Sequence, residues 1–456
     1  LKYYFSNKTK FNFINIDLID QIYKNKIYKS KPFFSLKKTI IGESHESKIQ
    51  KVRKFIKHNN VDYLFISAPE NVAWLLNIRG SDNPNSPIPN CRLIIGKNKE
   101  LFLITQKEKT LQIIKDKKLS KKQIINPKKF KDLINKLKGY KFIIDSLSCS
   151  LLNENIIKSK FKIINKDDPC YKLKSIKNSS EIKHMINAHI EDGLALTKFI
   201  FWIKNINKKK ITEVDAQNKL EKFRKLNKNY LFPSFNTIAG TGSNGAIVHY
   251  RASKESNKTI KKSDVFLCDS GGQYMFGTTD VTRTICFSKQ PNSIKNVYTK
   301  VLKGHIAVVT SNLKKFNNGK KIDVRARQFL KKDGLDYAHG TGHGVGFFSN
   351  VHEGPQSISK YNTIKLEEGM IISNEPGYYK KNHYGIRIEN LVYVKKNKKK
   401  LQFENLTLAP IEKDLINYDL LNKNEKNYLF NYHLNVYTKH SKFLNKKEKK
   451  WLAGLI

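Results

Sequence analysis

The sequence predicts an α+β chain in which a small α/β domain precedes a larger α+β domain. Three observations lead there. The chain has 456 residues, more than one hydrophobic core usually serves, so more than one domain is expected. Between residues 45 and 170 a helical apolar pattern is followed by short runs at strand spacing. From Asn178 onward a long capped helix opens, and residues 230–395 then alternate strand runs with glycine turns.

Residues 1–44 are rich in Lys and Asn, with short apolar clusters and Pro32, and read as an N-terminal stub or linker. Residues 45–174 form the first domain. There, 47–57 places Ile49, Val52, Phe55 and Ile56 at helical spacing. A strand follows over 61–68 and a short helix over 71–77. Residues 92–96 and 101–105 flank the polar run Lys97-Asn98-Lys99-Glu100, a hairpin signal. Another strand covers 141–144. The second domain, 175–395, opens at Asn178-Ser179-Ser180-Glu181, a cap residue with Glu three positions later. Ile182, Met185, Ile186, Ile190, Leu194 and Leu196 carry that helix to Trp202. Thr212 opens another. Strands are expected at 265–268 and 282–287, separated by Gly271, Gly272 and Gly277, and at 370–373 and 386–394. Residues 395–400 read as a hairpin tip. Residues 396–456 form a C-terminal extension with helices around 428–436 and 446–452.

The net charge is +47, yet only nine of the 86 basic residues are Arg. Lys, Asn and Ile share A+T-rich codons, so base bias accounts for the excess. The lysines are spread along the chain without the Arg and aromatic interleaving of a nucleic-acid site. They read as a solvated surface, and nucleic acid is not expected as a partner. No apolar run approaches the roughly 20 residues of a membrane span. The first thirty residues lack the clean apolar core of a signal peptide. The five cysteines form no CxxC pair, which argues against a disulfide framework or a thiolate zinc site. A soluble protein of a reducing, cytoplasmic compartment is the expectation.

Five residues carry the chemistry. Asp269 lies in FLCDSGG, Asp280 in GTTDVTRT, His343 in HGTGHGVG, Glu375 in SNEPGYY and Glu389 in GIRIEN. Singly, each has an ordinary reading as a turn cap, loop histidine or exposed acid; the joint pattern is what counts. Four carboxylates and one imidazole suit hard or borderline divalent ions, Mn²⁺ first, with Zn²⁺, Co²⁺ or Fe²⁺ as alternatives. Without cations, four buried carboxylates would lose hydration and repel one another. Asp269 and Asp280, facing each other across a glycine-rich hairpin, would stand about 5 Å apart. That is compatible with one chelating and one bridging carboxylate in a two-metal hydrolytic site.

The order of these five residues resembles that of the pita-bread metallopeptidases, which include methionine aminopeptidase, prolidase and aminopeptidase P. DSGGQYMFGTTDVTRT, HGTGHGVGFFSNVHEGP and NEPGYYKKNHYGIRIEN are most similar to aminopeptidase P (Xaa-Pro aminopeptidase). AWLLNIRGSD at residues 73–82 resembles the second domain of its long, three-domain form, and LTLAPI at 406–411 fits that form as well. The resemblance covers roughly residues 45–456. It departs at the N-terminus, where only a stub stands in place of the long form's first domain.

The resemblance implies a pita-bread catalytic domain behind a creatinase N-terminal-like domain. It implies a metallo-exopeptidase that cleaves between an N-terminal residue and a following proline, using two divalent ions and a bridging water or hydroxide. Asp269 would bind one ion, His343 and Glu375 the other, and Asp280 and Glu389 both. Glu375 would also act as general base. His249 in NGAIVHY and His352 in NVHEGP would hold the substrate and the tetrahedral intermediate, and His339 would assist proton traffic. Arg387, two residues before Glu389, would orient a carboxylate ligand. Arg79 would hold the first domain on the second. A homodimer is expected from the same resemblance. Two alternatives stay open: a prolidase restricted to Xaa-Pro dipeptides, and a non-catalytic binding protein on the same fold.

Overall fold

A computed structural model describes residues 9, 10, 14, 18–22, 31–206 and 211–456. The part of the expected N-terminal linker outside these ranges lies outside the described residues. Its last stretch does not hang free. Phe34–Ser35 pairs with Ile78–Arg79, and Phe33, Leu36 and Ile41 are buried.

The helix His45–His58 begins where the Ser44 side chain accepts the Ser47 N–H at 3.3 Å. It buries Ile49, Val52 and Ile56. Lys48 is buried on the same helix, where its ammonium is held by Asn77 Oδ1 at 2.7 Å and by the Trp74 carbonyl. The strand Tyr63–Ile66 sits inside a six-stranded mixed sheet, with Arg92–Gly96 and Leu101–Ile104 as an antiparallel hairpin on one side. Lys141–Ile144 runs parallel on the other side. Every residue of Tyr63–Ile66 is buried, as befits a strand covered on both faces.

The helix Ser179–Asn205 carries the expected capping box: Asn178 Oδ1 accepts from the Glu181 N–H, and Glu181 returns a bond to Asn178 N–H. It runs three residues past Trp202. Two further helices, Asn292–Val309 and Gly319–Lys331, pack together and cover the sheets from one side. Both lie within 230–395, where the sequence reads as strand runs and glycine turns, and both are additional to the expected elements.

The second domain holds two main sheets. In one, Val265–Ser270 lies between Ile238–Thr241 and Val281–Cys286, all antiparallel. The other has five strands in the order Glu353–Ile358, Gly342–Gly344, Ile371–Asn374, Asn390–Asn397, Lys400–Asn405. The single strand expected over 386–394 is two strands. Tyr384–Arg387 pairs with Gly377–Lys380, whereas Asn390–Asn397 joins the five-stranded sheet. Between them, Ile388 N–H bonds Pro376 O and Glu389 N–H bonds Thr282 O at 3.1 Å, so the chain changes sheets there. No Gly or Pro marks the change, which is why an apolar run conceals it.

The helices Lys423–His440 and Lys446–Ala453 close the chain. Both start at capping boxes, Asn422 with Glu425 and Asn445 with Glu448. Several contacts fasten the first domain to the second, two of them buried. Arg79, almost fully buried, donates to the carbonyls of Phe348 and Phe347 at 2.5 and 2.9 Å. Lys174 reaches across to Glu353 at 3.0 Å, and Lys177, already in the second domain, bonds the same carboxylate.

Candidate metal centre

Four of the five residues converge because strand ends from both sheets meet. Asp269 lies one residue from the end of Val265–Ser270 and pairs with Thr282, so Asp280 sits two residues beyond that register, just ahead of the Val281–Cys286 strand. Glu375 follows Ile371–Asn374, and Glu389 occupies the joint between sheets. His343 comes instead from the middle of Gly342–Gly344. Gly342 lets that strand close on its neighbour, since a Cβ there would meet Ser373 O at 1.9 Å.

The ligand atoms fall into overlapping sets. One atom each of Asp269, Asp280 and Glu389 lies within 4.8 Å of the others, and so does one atom each of His343, Glu375 and Glu389. A third set joins Asp280, His343 and His352. His343 Nε2 stands 3.4 Å from both Asp280 Oδ2 and Glu375 Oε1. Its Nδ1 contacts the Gly344 carbonyl at 2.9 Å, which turns Nε2 towards the carboxylates.

Whether this set fits a cation can be judged from its electrostatics. Burial, then the charges of Asp280, Glu375 and Asp269, push the Glu389 carboxyl well above its usual range. Burial and crowding raise Asp280 to about 7, against the pull of His343. Asp269 is raised by burial and Glu375, although Arg387 opposes this. Burial works against charge on His343, yet its bond to Asp280 and the Glu375 charge raise it to about 9. One observation is independent of titration: Asp269 Oδ1 is buried with no hydrogen-bond partner. Crowded carboxylates and an orphaned anionic oxygen are what a site for divalent cations leaves when only protein atoms are counted.

Around the set runs a supporting network. Arg387 donates through Nη2 to Asp269 Oδ2 at 2.6 Å, through Nη1 to Tyr379 Oη at 2.6 Å and through Nε to Thr282 Oγ1 at 3.0 Å. Thr282 Oγ1 in turn donates a hydrogen bond to Glu389 Oε2 at 2.7 Å. Arg387 thus holds Asp269 directly and Glu389 through Thr282. Tyr379 Oη also meets His339 Nε2 at 2.8 Å. Ser373 Oγ donates to Glu375 Oε1 and accepts from His343 N–H, both at 2.9 Å. Thr282, Ser373 and Tyr379 were missed in the sequence. Thr282 and Ser373 stand two residues from Asp280 and Glu375, a spacing that a strand reading could have used.

The set lines a cavity of about 400 Å³ that also receives His249, His339 and His352. The His352 ring meets His343 edge-on at 4.2 Å. His249 rides a loop whose anchor is Glu213, also missed from sequence. This fully buried carboxylate accepts from Thr241 N–H at 2.7 Å, Lys258 N–H at 3.0 Å, the Asn244 amide and Tyr250 Oη at 2.7 Å. Cys286, Glu412 and Asp414 also converge elsewhere, but the Lys204 ammonium already bonds both acids at 2.7 and 2.8 Å.

Residues 183–396 match metallopeptidase family M24, residues 25–181 the creatinase/prolidase N-terminal domain, and residues 399–454 the C-terminal region of M24 peptidases. Xaa-Pro aminopeptidase 1 of Dictyostelium discoideum is 37% identical over 455 residues, covering 94% of this chain and 71% of its own length. A probable Xaa-Pro aminopeptidase P of Paracoccidioides brasiliensis is 37% identical over 449 residues, covering 90% of this chain and 71% of its own length. The crystal structure of a Caenorhabditis elegans X-prolyl aminopeptidase, described as a cytosolic enzyme with a di-nuclear active site, superposes with a TM-score of 0.88 at 30% identity. It covers 97% of this chain and 75% of its own. Prolidase from Pyrococcus furiosus superposes at 0.63 and 28% identity, over 78% of this chain and 99% of its own.

Proposed function

The chain belongs to metallopeptidase family M24, and on that premise we propose that it is a metal-dependent Xaa-Pro aminopeptidase. It releases the N-terminal residue of peptides whose second residue is proline. The observation that carries this reading is the pair of ligand sets sharing Glu389, with the partnerless Asp269 Oδ1 at their edge.

Asp269 would hold one ion and His343 and Glu375 the other, with Asp280 and Glu389 within reach of both. Two divalent ions, when bound, supply a nucleophilic water at neutral pH and polarise the scissile carbonyl. The oxygen-rich set favours Mn²⁺. Glu375 takes the proton of the attacking water. Burial raises its carboxyl, but His343, His339 and Arg387 together hold it below the usual range, so it is ionised and able to accept. His249 and His352 present ring nitrogens to the substrate and to the oxyanion that develops on the carbonyl. His339 is tied through Tyr379 to Arg387 and serves proton movement.

The preference for proline has a physical basis. A Xaa-Pro bond is a tertiary amide with no N–H, so a site that offers no acceptor there loses nothing with proline. We further propose a cytoplasmic homodimer. Among the described residues no helix is long and apolar enough to cross a membrane. The experiment is to strip the protein with chelator, restore Mn²⁺, Zn²⁺ or Co²⁺ singly, and follow hydrolysis of Ala-Pro-Ala. Activity lost on stripping and regained with one ion supports the reading. Metal binding without turnover sinks it.

A further inference from the structure

We propose that Arg251 is a specificity-determining residue: its guanidinium receives the carboxylate that a short peptide presents one residue beyond proline. The inference rests on the aminopeptidase reading above.

Arg251 lines the same cavity as the five ligand candidates. Asp269, Asp280 and Glu389 are buried at its floor, whereas Arg251 is exposed and therefore stands at the mouth. Among the described residues nothing accepts a hydrogen bond from its guanidinium, and no carboxylate pairs with it. The other arginine on the cavity wall, Arg387, is fully engaged by Asp269, Tyr379 and Thr282.

The Arg251 side chain is free, but its backbone is not. The Arg251 carbonyl accepts from Ser256 Oγ at 3.3 Å. Its neighbour Tyr250 is bonded to Glu213, which also ties Thr241 and Lys258 on either side. A cation on a fixed loop with no internal partner keeps its five donors available to a ligand.

The direction of the substrate decides which ligand. An exopeptidase binds nothing before the first residue, so the N-terminal residue and proline occupy the floor. Whatever follows proline must leave through the mouth. In a tripeptide the group that arrives there is the C-terminal carboxylate; in a longer peptide it is the third side chain, which is acidic when that residue is Asp or Glu. A guanidinium fork matches either carboxylate with two parallel bonds.

The test uses the metal-loaded enzyme with Ala-Pro-Ala, Ala-Pro-Ala amide and Ala-Pro-Glu amide. We expect kcat/KM roughly tenfold higher for Ala-Pro-Ala than for its amide, carried by KM, because the contact is remote from the bond that breaks. The acid-to-amide ratio should collapse towards one in Arg251→Ala and Arg251→Gln and persist in part in Arg251→Lys. If Ala-Pro-Glu amide regains the preference, the site reads an acidic side chain as well; if it does not, the site reads the chain end. A wild-type ratio near one, or a ratio unchanged in Arg251→Ala, overturns the assignment while leaving the aminopeptidase intact. No turnover of any of the three peptides overturns the aminopeptidase reading, and this inference with it.

Discussion

Arg387 and Asp269 stand 2.6 Å apart, and that single bond divides the labour of one carboxylate. Oδ2 is turned to the guanidinium; Oδ1 is left buried and alone. Arg387→Lys removes the fork that holds Asp269, Thr282 and Tyr379 at once. Loss of such an outer-shell partner costs on the order of 10–100-fold in metal affinity. Calorimetric titration of the stripped protein should show this weakening; an unchanged affinity would mean that Arg387 does not orient the site.

Asp280 offers an oxygen to two of the ligand sets. Asp280→Ala should abolish turnover of Ala-Pro-Ala and lower the metal stoichiometry, with the fold retained. Near-normal turnover in this variant would remove the two-ion mechanism.

Substrate length separates the present reading from a prolidase. The enzyme should hydrolyse Ala-Pro-Ala and longer peptides readily. Activity confined to the dipeptide Ala-Pro would assign it to prolidase instead.

Buried histidines make the fold sensitive to acid, His433 and His440 among them with His305 and His189. Burial, then the nearby Arg283 charge, lowers His433 to about 4, and burial lowers His440 to about 4. An unfolded chain returns both to about 6.5. Below that pH the unfolded state binds more protons, so stability is full above about 6.5 and falls as pH drops towards 4. The melting temperature should decline over that window. His433→Gln, which cannot titrate, should flatten the decline even if it lowers the melting temperature overall; an unaltered slope would exclude His433 as a cause.

Arg79 bonds the carbonyls of Phe347 and Phe348, and Phe348 adopts the left-handed φ of 43°. A bulky residue held there stores strain that its surroundings must restrain. Arg79→Ala would orphan two buried carbonyls, at roughly 1–3 kcal/mol each. Thermal unfolding should begin earlier. Because Phe347 lies only a few residues from His343, KM or kcat should shift as well. A variant with unchanged melting would show that other contacts hold the domains together.

The parts of this protein that follow a local rule were readable in its sequence. The capping box at Asn178 and the hairpin at Lys97–Glu100 are stated by neighbouring residues. The five ligand candidates were found together because family-like text surrounds each, and the structure brings them within reach of one another. The long-range terms were not readable. Glu213 lies 36 positions before His249 in the chain (249 − 213), and nothing local says that it anchors the loop carrying that histidine. The break after Arg387 was hidden because the residues on both sides suit a strand; only pairing with two different sheets separates them.

That break has a consequence for how the sequence can change over time. Ile388 and Glu389 bridge two hydrogen-bonded ladders, each with its own fixed register. A residue inserted or deleted between them could leave both ladders paired but would turn Glu389 away from the cavity, since strand side chains alternate faces. Substitution can be absorbed along most of this region, but at this joint the spacing itself is under constraint, and a change of length there would silence the enzyme without unfolding it.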